Sequence, residues 1–334
     1  MIELPVCYDR GEEVEEGKYK CHSLSLLVHG TVTTSDCNQC THRNTKPHVT
    51  RKSFSSHNLK KNTPQLTIGM AVYNDFPGCF FTIQALKLYQ DLSNTEIIIV
   101  DNYGCDSTKR LAEESEVRYV RFTRVKGTAA PRQRIFEEAK AEAVLVCDSH
   151  VLLSPESVKS LRDFYVQHPE TEDLYQGPLL QNDGRTVITQ MEPSWNDKFY
   201  GRWVASTVLD PKTPPFEIQM QGLGLFSCRR ESWLGFNPRF TGFGGEEGYI
   251  HEKFRRAGHR VICLPWLRWS HLFHDKTRPS YKVHLKDRLI NYVIGFCELG
   301  WSLEPIINHF KAYLPADEVY KAVQQALIKT RTPL

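Results

Sequence analysis

Between Leu66 and about residue 175, short apolar runs alternate with helical patterns, and this alternation constrains the fold more than any other feature. "LTIGMAVYN", "TEIIIVDN", "VRYVRFT" and "AVLVCD" read as strands. "FFTIQALKLYQDL", "TKRLAEESE", "PRQRIFEEAKAE" and "ESVKSLRDFYVQH" lie between and after them with helical spacing. Ser107 is the expected cap of the second helix, and Pro131 the residue that opens the third. Such alternation predicts an α/β fold, a parallel sheet with helices on both faces. Ligands of these sheets sit beyond the carboxyl ends of the strands. Three strand ends are polar, Asn74-Asp75, Asp101-Asn102 and Asp148-Ser149-His150, so the active site is expected there.

The chain divides on this basis into four parts. Residues 1–42 hold Cys7, Cys21, Cys37 and Cys40 with short β-like runs such as "HSLSLLVHG". Residues 43–64 form a basic, polar linker almost without large aliphatics. Residues 65–275 form the α/β domain, including a hairpin at Asp183-Gly184 and a helix from Glu246 to Ala257 ended by Gly258. Residues 276–334 are a helical extension punctuated by proline.

Composition excludes several classes. A net charge of +3 does not by itself argue for a nucleic-acid or membrane partner. No apolar run approaches the ~18 residues of a membrane span, and "MIELPVCYDRGEE" has no apolar leader core, so a cytoplasmic protein is expected. Six further cysteines are scattered singly, several inside apolar segments, as in reducing compartments.

The chemistry centres on Asp148 and His150. Residues i and i+2 of an extended chain point the same way, so the two side chains can share one ion. A carboxylate with an imidazole suits manganese or a similar divalent ion, leaving room for a diphosphate. Alone, the pair more readily reads as a carboxylate capping the next turn beside a partly exposed histidine. His271, in "LRWSHLF", could return as a third ligand or pack among Trp266, Trp269 and Phe273. Asp101 could accept hydrogen bonds from a nucleoside. Glu246 and Glu247 open a helix after "GFGG", where a carboxylate could take a proton from an attacking hydroxyl or simply face solvent. The four N-terminal cysteines suffice for a tetrahedral Zn2+ site, with His22 and His29 as alternates; a disulfide or free thiols are the other readings.

From Leu66 to about Phe273 the chain resembles family 2-type glycosyltransferases of the GT-A fold, a Rossmann-like, mostly parallel sheet with helices on both faces. The resemblance rests on "LTIGMAVYND", "IIIVDNYGCDST" and "VLVCDSHVLL", the last at the metal-binding Asp-x-Asp position. The Asp-Ser-His form is similar to that of the polypeptide N-acetylgalactosaminyltransferases, which also carry Gly-Gly-Glu and a later histidine ligand. It implies that Val72, Tyr73, Asn74 and Asp101 contact the nucleoside of a nucleotide sugar, expected to be a UDP-sugar. It further implies that Asp148 holds both donor and metal, and that Asp148, His150 and His271 bind Mn2+ or Mg2+. Arg132 should lie near the nucleotide or sugar, and Glu246 near the donor sugar or acceptor. Those galactosaminyltransferases, which retain configuration, have asparagine where Glu247 stands, whereas inverting family 2 enzymes carry an acid there. An inverting transfer with Glu247 as base is therefore expected, Glu246 being the second candidate.

The cysteine segment is similar to a zinc-ribbon-like prefix of some bacterial and phage-encoded family 2 proteins. With the basic linker, this allows a phage-type enzyme glycosylating hydroxymethylated DNA bases in the host cytoplasm. A protein or glycan hydroxyl is the competing acceptor. A nucleotidyltransferase would need a triphosphate-gripping loop, which "AVYNDFPGC" lacks. A zinc-ribbon nucleic-acid-binding protein with a degenerate transferase domain is the non-enzymatic reading, opposed by the acidic and histidine set still in place.

Overall fold

In a computed structural model of the chain, the described residues are 63–181, 183–206, 210–272 and 283–332, with the backbone of 10–15, 18–21 and 32–33. These last pieces are strands β1 (Arg10–Glu15), β2 (Lys18–Cys21) and β3 (Val32–Thr33), paired antiparallel in sequence order. Cys7, Cys37, Cys40, the run "HSLSLLVHG" and nearly all of the linker lie outside the described residues, and of Cys21 the backbone alone is described.

The expected alternation then appears: β4 (Leu66–Val72), α1 (Phe76–Tyr89), β5 (Thr95–Asp101), α2 (Asp106–Glu114), β6 (Arg118–Arg121), α3 (Ala129–Glu138) and β7 (Ala143–Asp148). Next come β8 (Val151–Leu153), α4 (Ser157–Gln167), β9 (Leu174–Gln176), β10 (Leu179–Leu180), β11 (Val187–Asn196) and β12 (Phe199–Ser206). Then follow β13 (Phe216–Glu217), β14 (Leu225–Arg229), α5 (Glu247–Arg256), β15 (Val261–Cys263) and β16 (Trp269–His271). Helices α6 (Leu285–Glu298), α7 (Glu304–Phe310) and α8 (Ala316–Arg331) end the chain.

The main sheet has eight strands in the order β13-β15-β9-β14-β7-β4-β5-β6. β7, β4, β5 and β6 are parallel, while β14 runs antiparallel to β7. Alternation along the strands explains the two cores. Ile98, Val100, Val144 and Val146 face one side, packing with α3, α5 and the C-terminal helices. Ile97, Ile99, Leu145 and Cys147 face the other, with residues of α1 and α4. At Gly69 a β-carbon would stand 2.1 Å from Ile135 Cγ2, so only glycine lets α3 settle on β4. Within the described residues, no helix is long and apolar enough to cross a membrane.

Two details depart from the sequence reading. Helix α2 begins at Asp106, and Ser107, its second residue, pairs with Cys105 Sγ at 2.8 Å instead of capping. The loop into this helix is ordered by Asp101, whose carboxylate takes the backbone N–H groups of Tyr103, Gly104 and Cys105. Helix α3 begins two residues ahead of Pro131, at Ala129. A second sheet, β12-β11-β10-β16-β8, was also not foreseen, because strands of two or three residues carry no readable period.

Candidate metal and nucleotide site

Register brings the polar strand ends together. Asp101 lies opposite Val72 across β4–β5, and Asp148 opposite Ala71 across β4–β7. The second sheet supplies the remote ligand. β8 and β16 pair antiparallel with His271 opposite Val151, and Leu272 N–H donates to His150 O at 3.0 Å. His271 is thereby fixed against a residue distant from it in sequence.

Asp148, His150 and His271 each offer a ligand atom, all within 4.8 Å of one another. The two Nε2 atoms are 3.1 Å apart, and Asp148 Oδ2 is 3.5 Å from His271 Nε2. Two ligands at ~2.1 Å and right angles on one ion stand ~3 Å apart, so the set fits a divalent cation such as Mn2+. Burial pushes the Asp148 carboxyl up, but the charge of Arg132 and the two histidines outweigh it and hold it well below the usual carboxylate range. Asp148 is therefore ionised, as a metal ligand must be. The cluster is tightly walled: a β-carbon on Gly224 would meet the Trp269 ring at 2.7 Å and Asp148 Oδ2 at 3.3 Å.

Arg132, in α3, is buried and joins two acids. Its Nη2 donates to Asp148 Oδ1 at 2.8 Å and its Nη1 to Glu246 Oε1 at 3.1 Å. Glu246, 1% exposed, also accepts from Thr128 Oγ1. Both expected neighbours of the donor thus serve in an internal ion-pair chain. Glu247 begins α5 and is the less buried of the two acids. Burial, then the charge of Glu246, raise its carboxyl to about 7, against the opposing pull of Arg132 and Arg288. The loop ahead of it is pinned by Asn291 of α6, which donates to Thr241 O and Gly244 O and accepts from Thr241 N. Arg288, one turn earlier on α6, donates to Lys198 O and lies 3.8 Å from the Phe199 ring centroid. Sequence reading missed both residues; their only signal was a polar side chain inside a buried helical face.

At the other end of the row, Tyr73 and Tyr103 meet edge to face at 5.3 Å, with Lys126 Nζ 5.4 Å and 5.8 Å from their centroids. Two aromatic rings and a cation form a surface suited to a base and a phosphate. Tyr103 and Lys126 were not anticipated. Asn74 has φ 49°, turning the chain sharply from β4 into α1, and Val72 is buried, its carbonyl accepting from Asn102 N–H. Asp101 is fully buried, and its oxygens accept from three backbone N–H groups and from Tyr119 Oη at 2.8 Å. Its carboxylate orders the loop that carries Tyr103.

Asp75, at one of the polar strand ends but given no role of its own by the sequence, stands between α1 and the metal cluster. Its Oδ2 lies 2.7 Å from His150 Nδ1 and accepts from Ser149 Oγ at 2.8 Å. Its Oδ1 accepts from Gly78 N–H at the start of α1.

The family model described as Glycosyl transferase family 2 matches residues 67–207. Among curated proteins, the one named Putative glycosyltransferase EpsH, from Bacillus subtilis (strain 168), is 21% identical over 247 residues, 72% of this chain and 67% of its own. Among solved structures, GalNAc-T7 with UDP, GalNAc and Mn2+ superposes with a TM-score of 0.58 at 16% identity, over 80% of this chain and 55% of that one. The chain thus spans about half the length of that neighbour. Mannosyltransferase PcManGT from Pyrobaculum calidifontis, solved with GDP-Man and Mn2+, gives a TM-score of 0.48 at 14% identity, over 82% of this chain and 77% of that one.

Proposed function

We propose that this chain moves a sugar from a UDP-sugar to an acceptor hydroxyl, with inversion, using a divalent metal; the match of residues 67–207 to the model described as Glycosyl transferase family 2 and the GT-A-like α/β fold support this. The observation that carries the reading is the single ion-pair chain Asp148–Arg132–Glu246, which puts the three-ligand cluster and the acid pair at α5 in one site.

A bound Mn2+ or Mg2+, held by Asp148, His150 and His271, supplies positive charge for a departing diphosphate oxygen. The other steps belong to the chain. Tyr73, Tyr103 and Lys126 form the surface that receives the nucleoside and orients the donor. Glu247 takes the proton from the acceptor hydroxyl as its oxygen bonds to the anomeric carbon. The bond from that carbon to the diphosphate oxygen breaks on the opposite face, its electron pair leaving with the nucleoside diphosphate. A carboxyl raised to about 7 is suited to this, since a base works best when its affinity for protons matches the ambient pH. Arg132 pairs with Glu246, whose charge adds to burial in raising the proton affinity of Glu247.

Cys7, Cys21, Cys37 and Cys40 are proposed as a Zn2+ site on sequence spacing alone; elemental analysis should find one zinc per chain, lost when Cys37 and Cys40 are both serine. The donor is tested by a thermal-shift screen of nucleotide sugars with MnCl2. A UDP-sugar that binds the folded chain raises its melting temperature as its concentration rises. No shift with any nucleotide sugar contradicts the proposal. The best donor can then be offered DNA with hydroxymethylated bases, peptide and glycan acceptors.

A further inference from the structure

The geometry points to Asp75 as the residue that sets His150 for metal binding, completing a carboxylate–histidine–metal relay that reaches the cluster from the first turn of α1. The inference rests on the metal reading above.

A carboxylate can only accept a hydrogen bond. With Asp75 Oδ2 2.7 Å from His150 Nδ1, the ring proton must sit on Nδ1. That leaves the lone pair on Nε2, the atom 3.1 Å from His271 Nε2 and turned toward the cluster. The same carboxylate fixes the ring's orientation. Without it, a neutral imidazole is free to put the proton on Nε2, which cannot then bind a cation.

Two donors besides His150 hold Asp75 in place. Ser149 Oγ donates to the oxygen that faces His150, at 2.8 Å. The other oxygen accepts from Gly78 N–H, so Asp75 caps α1. Thr82, one turn on, accepts from Val151 N–H and shares its one hydroxyl proton between Ser149 O and Val151 O, locking α1 to the strand that follows His150. The position also depends on what is missing at residue 78, where a β-carbon would lie 2.2 Å from Asp75 Oδ2. The run Asp75-Phe-Pro-Gly78 thus does two jobs, opening a helix and leaving room for its capping carboxylate to reach the histidine.

The test is titration of MnCl2 into the metal-free full-length chain by calorimetry, for wild type, Asp75→Asn and Gly78→Ala. Asparagine retains the cap and the shape but not the charge, and Gly78→Ala displaces the carboxylate without altering it. Both should weaken Mn2+ binding by ~10-fold or more, the usual effect of losing an outer-shell partner. The metal-free melting temperature of Asp75→Asn should stay close to that of wild type, which separates positioning from damage to the fold. Nitrogen NMR shifts of His150 should report an Nδ1-protonated ring in the wild type and a mixture of tautomers in Asp75→Ala. Equal Mn2+ affinity in wild type and Asp75→Asn, or an Nε2-protonated wild-type ring, overturns the positioning role and leaves the metal site standing. Absence of Mn2+ binding to the wild type, with UDP present or not, overturns the metal reading and the relay with it.

Discussion

Glu247→Gln should abolish transfer and yet make the protein more stable, and only above a particular pH. Glu247 has a carboxyl raised from 4.5 to about 7, by burial first and the charge of Glu246 second. The fold therefore prefers its protonated form. Its contribution to stability is fully present below about 4.5, the unfolded value, and is lost as pH rises through about 7. The rise from 4.5 to about 7, at ~1.36 kcal/mol for each tenfold in proton affinity, sets a ceiling of ~3 kcal/mol. Because Glu247 shares its environment with Glu246 and keeps some solvent access, ~1–2 kcal/mol is the expected gain at pH 8. Glutamine has nearly the same shape and no charge, so the difference between variant and wild type isolates that cost. In melts of metal-free protein at several pH values, the two should nearly coincide at pH 5, with the variant higher at pH 8. The separation should be ~2–4 °C per kcal/mol for a domain of this size. Turnover at saturating donor should fall by at least ~100-fold, the usual worth of a general base. A stability difference that does not change with pH refutes the placement of the charge, and full turnover refutes the role of base.

Other outcomes follow from the same geometry. The pH profile of kcat/KM should rise along a single limb with an apparent midpoint near 7 in the wild type, set by the Glu247 carboxyl; a flat profile from pH 5.5 to 8.5 contradicts it. Arg132→Ala leaves Glu246, 1% exposed, without its cation, and should cost ~3–5 kcal/mol in urea unfolding, against which a loss below ~1 kcal/mol would count. Asp101→Asn cannot accept all of the hydrogen bonds made by Tyr103, Gly104, Cys105 and Tyr119, and should cost ~2–3 kcal/mol while weakening UDP binding through the displaced Tyr103 ring. Unchanged UDP affinity in a folded Asp101→Asn protein would separate that loop from the donor.

The strands and helices up to α4 were legible because each buries one face or both, and periodicity records burial. Asp148 and His150 were legible because they come at the end of an apolar strand, but β7 ends at Asp148, so the turn at Ser149-His150, not strand parity, brings the two side chains together. His271 could be suspected from its place after a late strand, but the pairing of β8 with β16 that delivers it involves strands too short to carry a pattern. Asp101 shows the opposite difficulty. A carboxylate at a strand end suggests a ligand contact, while the N–H groups of the following loop that it gathers depend on a backbone path that no spacing records. Arg132 and Asp75 act through contacts with partners distant in sequence, which no local spacing encodes. Ser107 failed as a cap because its neighbour, Asp101, had already ordered the loop.

The central claim, that this chain uses a metal held by Asp148, His150 and His271 to act on a nucleotide sugar, is tested most directly by release of UDP from a UDP-sugar. Metal-free protein should release none; added MnCl2 should start the reaction in the wild type and leave Asp148→Ala and His150→Ala inactive although folded. UDP release that proceeds in chelator, or at the wild-type rate in both variants, would contradict the claim.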